Sequence, residues 1–441
     1  MHRTMRIGVA VLLAVVVLLL GGIWSFRRTD AGAAADVALV PETGALLSPV
    51  RGGSVGSTIA SLQARLRVAP TDARTRASLG LAYVQQARIT GDPTLYPKAE
   101  VLLGDAVGSV PDGDASAEIG LAALAAARHD FAASLRHARR AAAISPYDGA
   151  VYGVMGDALL ELGRYPAAFR AFQRFVDIEP GLAAYARVSY ARELQGDLAG
   201  ARRALQTATG VAGSPEDAAF AWFQLGELAW NRGDVASAAD AYRTAEGFAP
   251  TWVPPEAGLA RVAWARGDLD VAIARATDVA TRLPLVEHVV LLGDLLTVAG
   301  DRRGAQAQYD VARAEAALLH ANGVDVDLEL ALFEADHGDP RAALRAARAE
   351  WARRRSVHVA DAYAWALHAV GRDAAATRLA DLAVRLGTRS ALFRYHAGMI
   401  AFAAGRRADG RAHLRVALDL NPSFSVLGAA EARAALRRGA A

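Results

Sequence analysis

The sequence predicts an all-α chain folded as a solenoid of about ten helix–turn–helix repeats. Three observations carry this reading. First, a small residue recurs within alternate apolar segments, at Gly80, Ala122, Gly156, Ser189, Gly226, Ala260, Gly293, Ala331, Ala364 and Gly398, with most spacings at 33 or 34 residues. Second, three segments align position by position. Trp222, Leu225-Gly226, Ala229, Gly233-Asp234, Ala238, Tyr242 and Pro250 share their spacing with Tyr152, Met155-Gly156, Leu159, Gly163, Ala168, Phe172 and Pro180, and Val289, Leu292-Gly293, Leu296, Gly300-Asp301, Ala305 and Tyr309 repeat it again. Third, turn residues fall at fixed offsets. Glycines 163, 196, 233, 267, 300, 338, 371 and 405 stand where a left-handed cap ends a first helix, and prolines 111, 146, 180, 250, 284 and 422 stand where a second helix stops. Self-similarity at such a period marks units that bury their apolar faces only by stacking on one another.

The amino-terminal segment is of another kind. Ile7 to Phe26 is uninterrupted and uncharged, and its twenty residues would span about 30 Å as a helix, the thickness of a bilayer core. Arg3 and Arg6 precede it; Trp24, Arg27 and Arg28 mark its far end as an interface anchor and polar stop. Residues 1–28 are therefore expected to be a membrane anchor, with a cleaved signal segment as the alternative, since Ala31-Gly32-Ala33 and Ala33-Ala34-Ala35 would serve as small-residue cleavage sites. The six-residue basic tail is expected to stay in the cytoplasm, which puts the rest of a single-pass chain on the extracytoplasmic side. Residues 29–57 read as a flexible tether of Ala, Gly, Ser, Pro and Val. Its end, Gly52-Gly53-Ser54-Val55-Gly56, matches the Gly-x-Ser-x-Gly pattern of a nucleophile elbow but lacks the strand and sheet that such an elbow needs.

The solenoid is expected over 58–422. Thr58 to Val68, followed by Pro70, reads as half a repeat that caps the stack. The first full repeat is interrupted by a loop at Ile89–Pro97 and resumes with Ala99, Leu103, Ala106 and Pro111. Later irregularities fall at the Gly210–Pro215 turn and at an extended helix ending near Asn322-Gly323. A small residue on each first helix and an alanine on the second (Ala168, Ala238, Ala272, Ala305) let the pair cross closely, and enlarging one would overpack the crossing by about 1–3 kcal/mol. In 423–441, Ser425 to Arg438 reads as a closing helix whose Arg433, Arg437 and Arg438 solvate the last face.

These motifs resemble the tetratricopeptide repeat (TPR) pattern W-x2-L-G-x2-Y … A-x3-F … P across Thr58 to Pro422. The departures are Glu118 and Asp327 in place of the first aromatic residue, and Arg355 and Thr388 in place of the closing proline. The resemblance implies a right-handed superhelical solenoid that binds proteins, usually on the concave face lined by first helices. Residues three before, one after and four after the small residue share a helix side. In the fifth repeat these are Phe223, Glu227 and Trp230, with Asn231 beside them; in the sixth, Ala257, Arg261 and Trp264. The third repeat adds Asp157 and Leu160, the ninth Asp361, Trp365 and His368, and the tenth Tyr395, Met399 and Phe402. The candidate partner-binding residues are Phe223, Glu227, Trp230, Asn231, Arg261, Trp264, Trp365, Tyr395 and Phe402, because rings with polar tips suit binding hot spots. The competing reading packs these rings as ordinary core between neighbouring helices. Arg261 and Asn231 are too few for the carboxylate clamp by which some relatives hold a chain terminus.

Composition excludes much chemistry. Cysteine is absent, which removes disulfides, thiol catalysis and Cys-ligated metals, and the single lysine, Lys98, rules out a Gly-Lys-Ser/Thr phosphate loop. No His-Glu-x-x-His occurs; Asp325, Asp327 and Glu329 alternate as in a calcium loop but lack its glycine and closing glutamate. Arg353-Arg354-Arg355 suits a helix carboxy terminus. The net charge of +3 belongs to the amino terminus: Arg3, Arg6, Arg27 and Arg28 face no acid there, and the remaining 45 basic residues meet 46 acidic ones, so no nucleic-acid partner is expected. No catalytic residue, cofactor or metal is expected. The expectation is a membrane-tethered, non-enzymatic scaffold whose aromatic concave groove takes an apolar or amphipathic protein segment. Two alternatives stand beside it. Ile59 to Ala82 is similar to the opening of membrane-tethered repeat proteins that chaperone apocytochrome c, although those usually carry two spans. An enzyme with a TPR docking arm would need a further domain, for which no residues remain.

Overall fold

The computed structural model of the protein describes residues 52–111 and 113–438. The apolar segment at 7–26 and nearly all of the expected tether lie outside the described residues. Among those described, the chain forms 22 α-helices and no strand. Helix α1 (Gly52–Val68) leads into ten pairs: α2 (Ala73–Thr90) with α3 (Leu95–Gly108), α4 (Ala115–Ala127) with α5 (Phe131–Ile144), α6 (Gly149–Glu161) with α7 (Tyr165–Ile178), α8 (Leu182–Leu194) with α9 (Leu198–Gly210), and α10 (Pro215–Asn231) with α11 (Val235–Phe248). The second five are α12 (Val253–Ala265) with α13 (Leu269–Arg282), α14 (Val286–Ala299) with α15 (Arg302–Ala321), α16 (Asp327–His337) with α17 (Pro340–Arg353), α18 (Val357–Ala369) with α19 (Asp373–Ala383), and α20 (Ala391–Ala403) with α21 (Arg407–Leu420). Helix α22 (Gly428–Arg438) closes the stack.

Each pair is built as the repeat pattern requires, with one change of partner. The small residue of the first helix makes room chiefly for a large side chain of the second, sixteen or more residues on. A Cβ on Gly398 would stand 2.6 Å from the Leu414 side chain, one on Gly80 2.6 Å from Leu103, and Gly156 and Gly226 receive the Phe172 and Tyr242 rings in the same way. The turn glycines 163, 196, 233, 267, 300, 371 and 405 take positive φ, between 71° and 89°. The aspartate after such a glycine then caps the next helix: Asp197, Asp234 and Asp301 accept from the backbone N–H of Gly200, Ser237 and Gly304 at 2.8–3.0 Å.

Four boundaries differ from the sequence reading. Gly338 stays out of the left-handed region, at φ −144° and ψ −132°, where the Glu334 carboxylate fills the turn and accepts the Asp339 N–H at 2.7 Å. In the second repeat His129, a non-glycine residue at φ 62°, supplies the left-handed turn instead. Helix α1 begins at Gly52, six residues before the expected half-repeat, with Val55 and Leu62 buried on its inner side. The loop at Ile89–Pro97 shrinks to Gly91–Thr94, since α2 runs on to Thr90 and α3 starts at Leu95.

First helices of most successive repeats pack on one another, as α2 on α4 and α16 on α18, more than the second helices do, which puts the first helices on the inside of the superhelix. The superhelix then returns onto itself. The turn inside repeat n rests on the linker that follows repeat n + 5, and four such rungs form a seam between successive superhelical turns. At the first, the Asp325 N–H donates to the Arg128 carbonyl at 3.1 Å, and the His129 ring meets the Asp325 carbonyl. At the second, Arg354 pairs with Glu161, and the Val357 N–H donates to the Tyr165 hydroxyl at 2.6 Å. At the third, the Thr388 hydroxyl donates to the Leu194 carbonyl at 2.6 Å; at the fourth, the Asn421 amide donates to the Trp230 carbonyl at 2.7 Å. Apolar packing follows the same line, with Tyr165, Tyr190 and Leu194 against Val357, Ala360 and Phe393, and Leu124 against Leu319, Val324 and Val326.

Candidate functional site

The nine expected groove residues fall into two packed clusters. The first sits on the inner side of repeats four to six. Phe223 is 2% exposed, with the Tyr242 ring at 5.9 Å and the Trp252 ring edge-on at 5.1 Å. Trp230 is 4% exposed and lies beneath the Arg261 guanidinium, 5.2 Å from the ring centre. Glu227 joins three helices: from α10 it accepts from the Tyr242 hydroxyl of α11 at 2.6 Å and pairs with Arg261 of α12. Burial works against the Arg261 charge, but the Glu227 carboxylate outweighs it and holds the guanidinium pKa above its ordinary value. Asn231 is exposed and donates to the Glu193 carboxylate at 2.9 Å, while burial raises the Glu193 pKa. Trp264 is half-buried, between the apolar clusters of the fifth and sixth repeats.

The second cluster lies in repeats eight to ten. Trp365 donates its indole N–H to Asp336 at 2.7 Å and stacks on His396, ring centres 4.2 Å apart. Tyr395 donates to Glu431 on α22 at 2.5 Å and meets the Phe424 ring at 5.3 Å. Phe402 is half-buried and covers Gly410.

Burial divides the nine residues. Phe223, Trp230, Trp365 and Tyr395 are core residues, and the reason is local. The indole N–H of Trp365 and the hydroxyl of Tyr395 find acceptors inside the protein, so burial costs them no hydrogen bond, while Trp230 is covered by Arg261 and Phe223 by the Tyr242 and Trp252 rings. The residues left with accessible surface are Glu227, Asn231, Arg261 and Trp264 in the first cluster and Phe402 in the second.

Sequence reasoning missed the partners of these groups and the buried charges of the interior. Asp157 meets Arg187 at 2.9 and 3.1 Å, both almost wholly buried. Arg354 pairs with Glu161 and Glu350 and lies over the Phe131 ring at 4.6 Å. Burial pushes Glu161 up to about 7 and Asp157 to about 6 in spite of their arginines, and Glu329, whose two oxygens accept no hydrogen bond, to about 8. The available signal was a charged residue at the helix side that otherwise carries apolar ones, as at Asp157 and Arg187. Among the described residues no group of three or more His, Asp or Glu side chains could hold a metal ion, and no helix is long and apolar enough to cross a membrane.

With helix pairs, small-on-large crossings, left-handed turns and stacked first helices in place, the repeat type is decided. The fold is a TPR-like helical repeat. No family model and no curated protein matches the chain. Among solved structures it is similar to the human IFIT1 dimer with PPP-AAAA, at 12% identity and a TM-score of 0.47, covering 87% of this chain and 91% of that one. It is also similar to yeast Tom70, at 13% identity and a TM-score of 0.37, with 88% and 87% covered. Pseudomonas aeruginosa PilF matches at 17% identity and a TM-score of 0.36, over 48% of this chain and 92% of its own.

Proposed function

We propose that this chain is a protein-binding scaffold, held at the membrane through 7–26 with its repeats on the extracytoplasmic side. The partner contacts the part of the inner face that keeps accessible surface. The observation that supports this is the edge of the first cluster, where Trp264 keeps a half-buried indole, Arg261 lies one turn before it on α12, and Asn231 is exposed at the end of α10. An accessible apolar ring near polar and charged groups suits an amphipathic segment of another protein. The described residues are otherwise spent on helix pairs and their caps, with no second domain to supply chemistry.

The test is crosslinking with mass spectrometry on the full chain in its native membrane, comparing wild type with Trp264→Ala plus Asn231→Ala. Both positions lie at the rim of the cluster, so the variant is expected to fold, with circular dichroism as the check. Loss of specific crosslinked partners supports the scaffold. An unchanged partner set in a folded variant overturns the assigned face. Protease access to the repeats only after cell lysis would overturn the topology.

A further inference from the structure

The seam between superhelical turns holds an open cleft of about 670 Å³ at its third and fourth rungs, lined by none of the inner cluster's rings. Its floor is set by two close backbone approaches. A Cβ on Gly196 would stand 2.5 Å from the Gly387 carbonyl oxygen, and one on Gly233 2.8 Å from that of Leu420, so the turns of repeats four and five press directly on the linkers after repeats nine and ten. Around this floor four arginines converge from three separate segments. Arg202 and Arg203 come from α9, Arg232 from the α10–α11 turn, and Arg389 from the α19–α20 linker.

Their state differs from that of the buried arginines. Arg187 and Arg354 are paired with carboxylates in the interior. Arg202, Arg203, Arg232 and Arg389 are exposed, and none forms an ion pair or side-chain hydrogen bond among the described residues. Two acids line the cleft. Asp197 is committed to capping α9 and to Arg192, at 3.0 Å, whereas Asp419 is exposed and has no partner among the described residues; Asp234, outside the lining, feels the charges of Arg232 and Arg202. The repeats as a whole are almost neutral, so this concentration of positive charge is local. A concave site with protein walls focuses such a field and favours anions.

We infer that this cleft is a binding site for an acidic peptide segment, separate from the inner face proposed above. Guanidinium groups bind carboxylates through paired, nearly coplanar hydrogen bonds, and four of them on one cleft match several neighbouring carboxylates. Asp419 favours a peptide over a bare phosphate or a nucleic acid. A peptide backbone brings an N–H group at nearly every residue that an unpartnered carboxylate can accept from, whereas inorganic phosphate and the phosphodiester groups of a nucleic acid meet it with negative charge. The cleft exists only while the two turns are in contact, so the peptide also holds the seam closed.

The experiment measures fluorescence anisotropy of a labelled Asp/Glu-rich peptide against the full chain in detergent, with inorganic phosphate and a single-stranded oligonucleotide as competitors. The peptide is expected to bind with an affinity that falls as salt rises. Arg232→Glu plus Arg389→Glu is expected to weaken it about tenfold or more, while Arg302→Glu plus Arg303→Glu, an equal charge change at exposed positions outside the cleft, leaves it within about twofold. Matching thermal melts for the two variants keep folding out of the comparison. No peptide binding, or equal loss in both variants, overturns the site. Tighter binding of the oligonucleotide, or full displacement by low phosphate, overturns the peptide as its occupant.

Discussion

Replacing Arg354 by leucine tests whether the seam contributes to stability. The guanidinium is 3% exposed, pairs with Glu161 and Glu350, and stacks over Phe131. Its two acids fare differently without it. Glu350 keeps Arg353 as a second partner, but no other cation pairs with Glu161, whose Oε1 already lacks a hydrogen bond. Burial holds the Glu161 carboxyl at about 7 even with Arg354 present, so in the variant it takes up a proton at neutral pH instead of remaining a bare charge. Protonation limits the penalty, leaving lost hydrogen bonds, the lost stacking and an imperfectly filled site. The expected cost is about 3–5 kcal/mol, the range for removing one partner of a buried pair. Glu161→Leu in the same chain removes the orphaned carboxyl, and the double variant is expected to recover about half of that loss or more. Urea unfolding gives the three free energies, and hydrogen exchange at Val357, whose N–H is held by the Tyr165 hydroxyl, reports the seam itself. A single variant that loses less than about 1 kcal/mol, or a double variant less stable than the single, refutes the claim that this ion cluster pins the turns together.

Three further outcomes follow from the same structure. Glu161, Asp294 and Glu329 have folded pKa values raised by burial to about 7, 7 and 8, so their contribution is complete at low pH and is lost as pH rises through those values; His129, His288 and His358, lowered by burial to about 4, contribute fully above their unfolded value and lose that as pH falls through 4. Above about pH 6.5 only the carboxyls act, so unfolding free energy is expected to fall by on the order of 1–2 kcal/mol towards about pH 8, and Glu329→Gln to flatten most of the fall above about pH 7 in urea melts at several pH values. Gly196→Val, at φ 76° and against the Gly387 carbonyl, is expected to cost about 2–4 kcal/mol, whereas Gly267→Val, at φ 89° but facing open space, pays the backbone strain alone, about 1–2 kcal/mol; equal losses in thermal melts would remove the seam's share. Trp365→Ala is expected to cost about 3–5 kcal/mol by calorimetry, since it empties a site between His396, Tyr395 and Asp336, while leaving crosslinks at the Trp264 edge unchanged.

What the sequence revealed was whatever one repeat contains. The small residue, the turn glycine and the closing proline act within about 34 residues, so their spacing can be read directly, and Gly156 on Phe172 or Gly233 at φ 71° follow from it. Gly338 failed because the Glu334 carboxylate took over the turn from four residues away. The seam lay beyond reach for a different reason. Its contacts join residues 191 to 197 apart, and their register depends on small rotations between repeats summed over more than five of them. Yet the sequence marked two of its rungs. Arg355 and Thr388 stand where a closing proline was expected, and the linkers they occupy are those that place Arg354 against Glu161 and the Thr388 hydroxyl against Leu194. A site made of open rings was a reasonable expectation from helix sides alone. It failed at Trp230 and Trp365 because the ring partners, Arg261, Asp336 and His396, come from neighbouring helices whose angles a helical wheel does not contain.

The seam changes what kind of solenoid this is. In an ordinary repeat stack each unit contacts only its neighbours, and stability is a sum of unit and nearest-neighbour contributions. Here the turns of repeats two to five are tied to the linkers after repeats seven to ten, so the early repeats are stabilised by contacts that do not exist until the late ones have formed. Opening the seam would break those ties while leaving every helix pair intact, which makes it a motion the fold can undergo without unfolding. The fourth rung links that motion to the inner face. The Asn421 amide is bonded to the main-chain carbonyl of Trp230, at the α10–α11 turn, while the ring of the same residue lies under Arg261, so a partner that engages only side chains there leaves the rung in place, whereas one that needs the α10–α11 turn to move has to break it. An acidic segment in the neighbouring cleft bridges the same turns and favours the closed state by mass action. It would therefore oppose a partner of the second kind and leave the first unaffected, and because coupling between two ligands is reciprocal, either ligand can be used to measure it.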